Sequence, residues 1–213
     1  MKKQSQFTIL LGHIKEHSSL YLFIVVLFFM GVIFGAIVVN SMNFTQKQDL
    51  LGYMSRFFGQ VEEGNFANTK DIFFQSYFHN IKYVLLMWVL GISIIGLPVI
   101  LILLFLRGVV IGFTVGFLVN QLSWEGFLLS FVSILPQNMV AIPAYIIIGT
   151  LSVAFSLKMI RQQFVKRIQE PFFQHFLRYS MAMGLICVLL VPASFIEAFA
   201  SPVFMKSVIS MLK

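Results

Sequence analysis

The sequence predicts an all-α, polytopic integral membrane protein, a bundle of about five transmembrane helices with one re-entrant half-helix and interfacial amphipathic helices. Composition is the first reason: 59% of the 213 residues are apolar and 11% are charged, and the mean hydropathy is +0.91. Such a chain cannot be solvated as one soluble globule. The second reason is that long apolar runs recur from Ser18 to Ser201, so the chain forms a single membrane domain over 1–213.

Four apolar runs are long enough to cross a bilayer. At about 1.5 Å rise per residue, a hydrocarbon core of about 30 Å needs about 20 residues. The first, second, fourth and fifth spans are therefore predicted at 18–39, 83–105, 138–158 and 179–201. The first run is too long for a signal peptide and lacks a cleavage site of small residues, so we expect it to be retained.

The middle of the chain contains two shorter apolar runs. The run at 108–120 predicts a short third span, and the run at 126–135 predicts a half-helix that enters from the outer side. Pro136 then interrupts the helix and frees backbone groups, which are tolerated at membrane depth only when protein or water covers them. The amides of Gln137 and Asn138 are the nearest groups that can do so.

Basic residues predict the orientation, because Lys and Arg are retained on the cytoplasmic side. They gather in the N-terminal segment 1–17 and in the loop 159–178, and we interpret Arg107 as part of a third inner segment, the turn between spans two and three. The basic residues of the first two segments and their borders are Lys2, Lys3, Lys15, Lys158, Arg161, Lys166, Arg167 and Arg178. We therefore expect the N-terminus inside, and the loop 40–82 and the tail 202–213 outside.

Two segments are expected to be amphipathic rather than spanning. In 1–17, Phe7, Leu10, Leu11 and Ile14 form one helical stripe, which predicts a helix lying on the inner leaflet. The outer loop 40–82 has apolar residues at helical spacing on both sides of Gly64 and Asn65, which predicts two helices. Their apolar faces either rest on the outer leaflet or form a docking surface for a partner, whose candidate residues are Phe57, Phe58, Phe73, Phe74 and Tyr77.

The sequence lacks the motifs of intramembrane and nucleotide-dependent enzymes. It has no HExxH, no GxSxG, no aspartate pair within spans and no Walker lysine loop. The four histidines are scattered in flanking segments, and Cys187 is the single cysteine. We therefore expect no enzyme and no catalytic, cofactor-binding or metal-binding residues. The net charge of +7 is interpreted as attraction to membrane lipid, and we expect no nucleic-acid partner.

Small residues and one acid stand out within the spans. Glycines four residues apart lie on one helix face and allow close helix packing, either within one chain or between two copies; they are Gly31, Gly35, Gly108, Gly112 and Gly116. Glu197 lies about 27 Å along the last span from Tyr179, close to the outer face. Because an acid at this depth needs a partner, we expect Gln137 or Asn138 to hold it, in a polar cluster that includes Pro136 and Pro143.

Several blocks closely resemble the stage II sporulation protein M family. They are LLGHIKEH, MGVIFGAIVVNS, GVVIGFTVGFLVNQ, LLSFVSILPQN and MIRQQF, and together they cover nearly the whole chain. The resemblance implies a mother-cell membrane protein needed for engulfment of the forespore. It also implies partners, the peptidoglycan-degrading stage II sporulation proteins D and P, which such a protein holds at the septal membrane.

A wider bacterial family of similar membrane proteins has a proline-histidine-glycine signature followed by a glutamate and a proline-alanine pair. Pro136, Pro143 and Ala144 match it, and the later Glu197 and Pro202 match as well. Gln137, Asn138 and Ala141 stand where the histidine, glycine and glutamate would be. This departure argues against a proton or ion role for that pair here.

Two classes of function follow. The first is a non-enzymatic scaffold that recruits cell-wall hydrolases, which the aromatic outer loop and the absent catalytic motifs favour. The second is a transporter or channel component, because short broken helices that meet polar groups are typical of transporters.

Overall fold

The described part of the chain folds into six helices. The computed structural model describes residues 17–62, 69–164 and 172–211, and within these ranges it contains no strand. The expected inner-leaflet helix at 1–17 and the turn at Gly64 and Asn65 lie almost wholly outside the described residues. The helices are α1 (Ser18–Asn40), α2 (Phe44–Glu62), α3 (Thr69–Ile92), α4 (Gly96–Ser133), α5 (Leu135–Phe164) and α6 (Phe172–Met211).

Within the described ranges, four segments are long and apolar enough to cross a membrane. They are Ser18–Ser41, Gly96–Ser133, Pro136–Arg161 and Phe173–Phe199. The predicted all-α, multi-pass membrane architecture is therefore confirmed. These segments belong to α1, α4, α5 and α6. None of them covers the expected second span, 83–105, as a whole.

Five helices run alternately through one bundle. α1 and α4 are parallel, because Gly31 lies against Phe105 and Gly116 lies against Ala36. α3 is antiparallel to α6, because Tyr179 lies at Trp88 while the far end of α6 reaches the start of α3. α5 runs parallel to α3, because Tyr145 lies at Asn80 and Ser156 lies at Ser93. α2 contacts α6.

The two ends of the bundle differ in composition. At the end that we call the basic end, α3 turns into α4, and Lys158, Arg161 and Arg178 are found close to where α5 ends and α6 begins. At the opposite end, which we call the aromatic end, α1 finishes, α3 starts and α2 packs on α6. The core between them is apolar and includes Ile24, Met87, Ile100, Leu104, Tyr145 and Ile148, all fully buried.

The expected second span at 83–105 is wrong, because the helix breaks inside it. α3 ends at Ile92, a tight turn follows, and α4 begins at Gly96. A helix continuing through this point would bring the Pro98 ring against the Ile94 carbonyl, whereas the first turn of a new helix accepts proline. The turn also needs glycine, since a Cβ on Gly96 would overlap the Leu90 carbonyl.

The outer loop is shorter than the expected 40–82, because Thr69 already starts a bundle helix. α3 buries Ser76, Asn80, Val84, Met87 and Gly91 along one stripe, which is the spacing of a helix that faces a core. Its polar residues on this stripe are paired inside the bundle. The predicted second amphipathic helix is thus the first half of α3, and of the six helices α2 is the one that lies outside the bundle.

The third span is longer than expected, and a bend follows it. α4 includes 108–120 and runs without a break from Gly96 to Leu122, so Arg107 does not lie in a turn. Ser123 has φ 51° and ψ −124°, which is strained for a residue with a Cβ. The helical segment beyond it, 124–133, corresponds to the half-helix expected at 126–135.

The last two helices extend beyond the expected spans at 138–158 and 179–201. Residues 159–164 continue α5 and residues 172–178 begin α6, so the inner loop is shorter than the expected 159–178. The expected tail 202–213 is helical as far as Met211. α6 therefore continues for 12 residues after Phe199, which is about 18 Å.

The spaced glycines form the contact between α1 and α4. A Cβ on Gly31 or Gly35 would overlap backbone of α4, and a Cβ on Gly108 or Gly112 would overlap backbone carbonyls of α1. Gly116 is less tightly packed, since a Cβ there would lie 3.0 Å from the Ala36 Cα. Of the two alternatives, contact within one chain is the one that this fold uses.

Candidate intramembrane polar site

A chain of hydrogen bonds links a cation in the middle of the bundle to an acid near its aromatic end. Arg107 donates to the Tyr145 hydroxyl at 3.4 Å, and Tyr145 donates to the Asn80 Oδ1 at 2.5 Å. The Asn80 Nδ2 donates to the Ser76 hydroxyl at 3.5 Å, and Ser76 donates to the Glu197 carboxylate. We call these five residues the polar chain.

Every hydrogen bond of the polar chain points the same way. Each group accepts from the side of Arg107 and donates toward Glu197. Hydrogen bonds aligned between a cation and an anion polarise one another. The geometry therefore suits an ionised arginine at one end and an ionised carboxylate at the other.

The centre of the polar chain is dry. Tyr145 is 0% exposed and Asn80 is 6% exposed, while Arg107 and Glu197 are half-buried. Removing either charge would leave polar groups without partners at membrane depth, which costs free energy. The polar chain joins α3, α4, α5 and α6, so it acts first as a clamp on four helices.

Glu197 meets one of its two predicted partners. When the side-chain amide of Gln137 is oriented to satisfy the hydrogen-bond network, its nitrogen donates to both carboxylate oxygens of Glu197, at 3.2 and 3.0 Å. Asn138 instead donates to the carbonyl of Ile134, the residue just before α5, at 2.7 Å. Ser76 is a second partner, which the sequence interpretation placed in the outer loop.

The two prolines of the predicted cluster both lie in α5. Pro136 is in its first turn, where proline is tolerated, and Pro143 is inside the helix. Pro143 is exposed on the bundle surface. Of the predicted cluster, only Gln137 touches Glu197, and the prolines shape the helix that carries it.

Arg107 is placed differently from the sequence interpretation. It is eleven residues into α4, about 17 Å from the start of that helix. Its guanidinium lies over the Tyr145 ring at 4.9 Å and the Tyr83 ring at 5.7 Å, so cation–π attraction compensates part of its lost hydration. Its Nε has no partner among the described residues.

The predicted partner surface divides into two parts. Phe73 stacks on Tyr77 at 5.9 Å and meets Phe74 edge-on at 5.6 Å, at the aromatic end of α3. Phe73 and Phe74 also border Phe195 and Phe199 of α6 around a shallow depression of about 220 Å³. The side chains of Phe57 and Phe58 lie outside the described residues.

Among the described residues, no three His, Cys, Asp or Glu side chains lie close enough to hold a metal ion. The family model of stage II sporulation protein M matches residues 24–202. No curated protein and no solved structure gives a match to the chain.

Proposed function

This chain belongs to the stage II sporulation protein M family, and from that premise we propose that it is a non-enzymatic scaffold of the mother-cell membrane. It is a multi-pass membrane protein of sporulation. In the proposed role it holds the peptidoglycan-degrading stage II sporulation proteins D and P at the septal and engulfing membrane. The carrying observation is the aromatic end, where α2 lies outside the bundle and aromatic side chains of α3 and α6 border a shallow depression.

We propose five crossings, with the N-terminus inside and the C-terminus outside. In addition to the four apolar segments, α3 forms a crossing, the second in chain order. Its 24 residues extend about 36 Å, and it packs on α4, α5 and α6. Positive residues favour the basic end as the cytoplasmic one. α2 and the end of α6 would then face the space where peptidoglycan lies.

The orientation predicts a labelling pattern for single cysteines in a Cys187→Ser background. Ser19→Cys, at the start of α1, should react with membrane-impermeant maleimide only after permeabilisation. Ser55→Cys in α2 and Ser207→Cys near the end of α6 should react in intact cells. Ser19 and Ser55 are exposed, so packing does not limit their labelling. Labelling of Ser207→Cys only after permeabilisation would mean an even number of crossings.

α2 offers an aromatic side chain that faces away from its packed side. Its half-buried residues include Lys47, Leu50, Leu51 and Met54, which share one face, whereas Tyr53 is 69% exposed. An outward tyrosine supports contact with another protein, since tyrosine is enriched at interfaces.

We expect Tyr53→Ser to weaken capture of the partner proteins by the full-length protein, because it removes the aromatic contact. Tyr53→Phe should retain most of the capture, and membrane levels of both variants should equal those of the parent. The paired substitutions of Phe57 with Phe58, and of Phe73 with Phe74, by serine test the rest of the predicted surface. Full capture by all of the serine variants would exclude this surface.

Co-purification from sporulating cells distinguishes the scaffold from the transporter or channel alternative. The scaffold predicts that both partners are retained and that purified protein in proteoliposomes gives no flux above empty vesicles. Ion flux that depends on Glu197, without partner retention, would favour the alternative. The polar chain argues for the scaffold, because its groups hydrogen-bond to one another.

A further inference from the structure

A lateral groove opens on the bundle surface toward the aromatic end. Its walls are Ile111 and Val115 of α4, the half-helix between Phe127 and Ile134, and the α5 turn from Asn138 to Pro143. It encloses about 320 Å³. The strained bend at Ser123 creates it, because the half-helix folds back beside the helix that precedes the bend.

The walls present hydrocarbon and few hydrogen-bond donors. Two polar residues lie among them: Ser130 donates to the Gly126 carbonyl, and Asn138 donates to the Ile134 carbonyl in the turn before α5. The Asn138 Oδ1 has no partner among the described residues, but it is an acceptor and cannot donate to an anion. Pro143 has no N–H to offer. A phosphate or carboxylate would find nothing to replace its water, so the occupant must be apolar.

The length of the groove suits a single alkyl chain better than a helix packed along the bundle. Its walls extend for about 6–10 Å along each helix, a fraction of the roughly 30 Å that a spanning helix covers. An alkyl chain fits better, because a dry cavity of about 150 Å³ holds benzene, so this groove holds roughly ten carbon atoms.

The groove mouth lies where a lipid would enter. Its rim includes the exposed side chains of Met139, Phe127 and Phe131, and Trp124 stacks on Phe127 at 5.3 Å just beyond it. Trp124 is 69% exposed and follows the bend that ends the long part of α4. Tryptophan is enriched at the headgroup level of a bilayer.

We propose that this groove binds one acyl chain of a lipid from the leaflet at the aromatic end, with the headgroup beside Trp124. The bound chain fills the space between the half-helix and α5. The half-helix is thereby supported on a lipid and not only on protein. This inference does not depend on the scaffold role.

A photoreactive lipid tests the proposal on the full chain. The protein is reconstituted in vesicles of phosphatidylcholine that contain a small fraction with a diazirine near the end of one acyl chain, and labelled residues are mapped by mass spectrometry. We expect labelling of residues 127–143 to exceed that of the exposed lipid-facing side of α1, such as Phe29 and Ile33. Equal labelling of both surfaces would show ordinary boundary lipid and overturn the proposal.

Groove-filling variants make the test specific. Val115→Phe from α4 and Ile142→Phe from α5 should each reduce labelling of 127–143 to the level of α1. Val110→Phe, at a position that is 58% exposed and outside the groove, should change nothing. If gel filtration shows a folding defect in one groove-filling variant, the other variant still tests the proposal. Unchanged labelling in a folded filling variant, or cross-linking from Met139→benzoylphenylalanine to a second copy, would contradict a lipid occupant.

Discussion

Replacing Glu197 with leucine is expected to deplete the folded protein from the membrane. The change removes the acceptor of Ser76 and Gln137 and leaves Arg107 without its distant counter-charge. Leaving a buried donor without its acceptor costs about 1–3 kcal/mol, and Glu197→Leu does this to both Ser76 and Gln137. Glu197→Gln keeps an acceptor and a similar volume, so we expect a loss of about 1 kcal/mol.

Thermal unfolding in detergent, followed by fluorescence-detected gel filtration, measures both variants. The matched control is Glu125→Leu, because Glu125 is exposed at the start of the half-helix and should tolerate leucine. If the Glu197→Leu and Glu125→Leu proteins were equally stable, Glu197 would not be part of a clamp.

Gly112→Leu is expected to separate α1 from α4. Even a Cβ at this position would overlap the Val32 carbonyl, and backbone cannot yield as a flexible side chain can. Overpacking costs about 1–3 kcal/mol when side chains can adjust, so a larger loss is expected here. Gly184→Leu on α6 is the control, because no atom of the described residues lies within 4 Å of a Cβ at Gly184.

A cross-link between the ends of these helices reports their separation directly. The amides of Asn120 and Asn40 are 3.4 Å apart, so a short bifunctional maleimide should join Asn40→Cys and Asn120→Cys within one chain in a Cys187→Ser background. Gly112→Leu should abolish this cross-link and Gly184→Leu should retain it. Cross-linking that persists in the Gly112→Leu protein would show that the glycine contact does not hold the two helices together.

The apolar runs of α1, α5 and α6 could be predicted from the sequence, because each is long, contains at most one charged residue and is bounded by polar residues. The break between α3 and α4 could not be predicted from hydropathy, since the turn at 93–95 is as apolar as the helices beside it. Its local signal is Gly96 followed by Pro98, the pattern of a new helix start.

α3 was missed for a different reason. Its first half is polar enough to resemble an outer amphipathic helix, yet Ser76 and Asn80 face the core and are paired there. Their spacing continues through Val84 and Met87, and this stripe was the available signal. Hydropathy averages cannot distinguish a polar residue that faces a partner from one that faces water.

The polar site was predictable at one end only. Depth along the two antiparallel helices brought Gln137 near Glu197, but could not choose between Gln137 and Asn138. Neighbouring helical residues point about 100° apart, so only one of them can face α6. The position of Arg107 could be predicted only by locating the helix break. A span that ended at 105 would place Arg107 in a turn, whereas a helix that begins at Gly96 places it within the bundle.

The polar chain has a consequence for the proposed scaffold. Glu197 lies 14 residues before Met211, where α6 ends, so the polar chain ties the C-terminal part of α6 to α3 and α5. A clamp here would hold the partner-facing end in one orientation relative to α3 and α5. Loss of the clamp should therefore weaken partner capture as well as stability.

The most direct test is a double-mutant cycle between Arg107 and Glu197. Arg107→Met and Glu197→Leu remove one charge each, and the double variant removes both and leaves a neutral bundle. If the two residues form one charge pair through the polar chain, the double variant should be more stable than the sum of the single losses predicts, by about 1–3 kcal/mol. Additive losses would contradict the linkage and reduce the polar chain to independent hydrogen bonds.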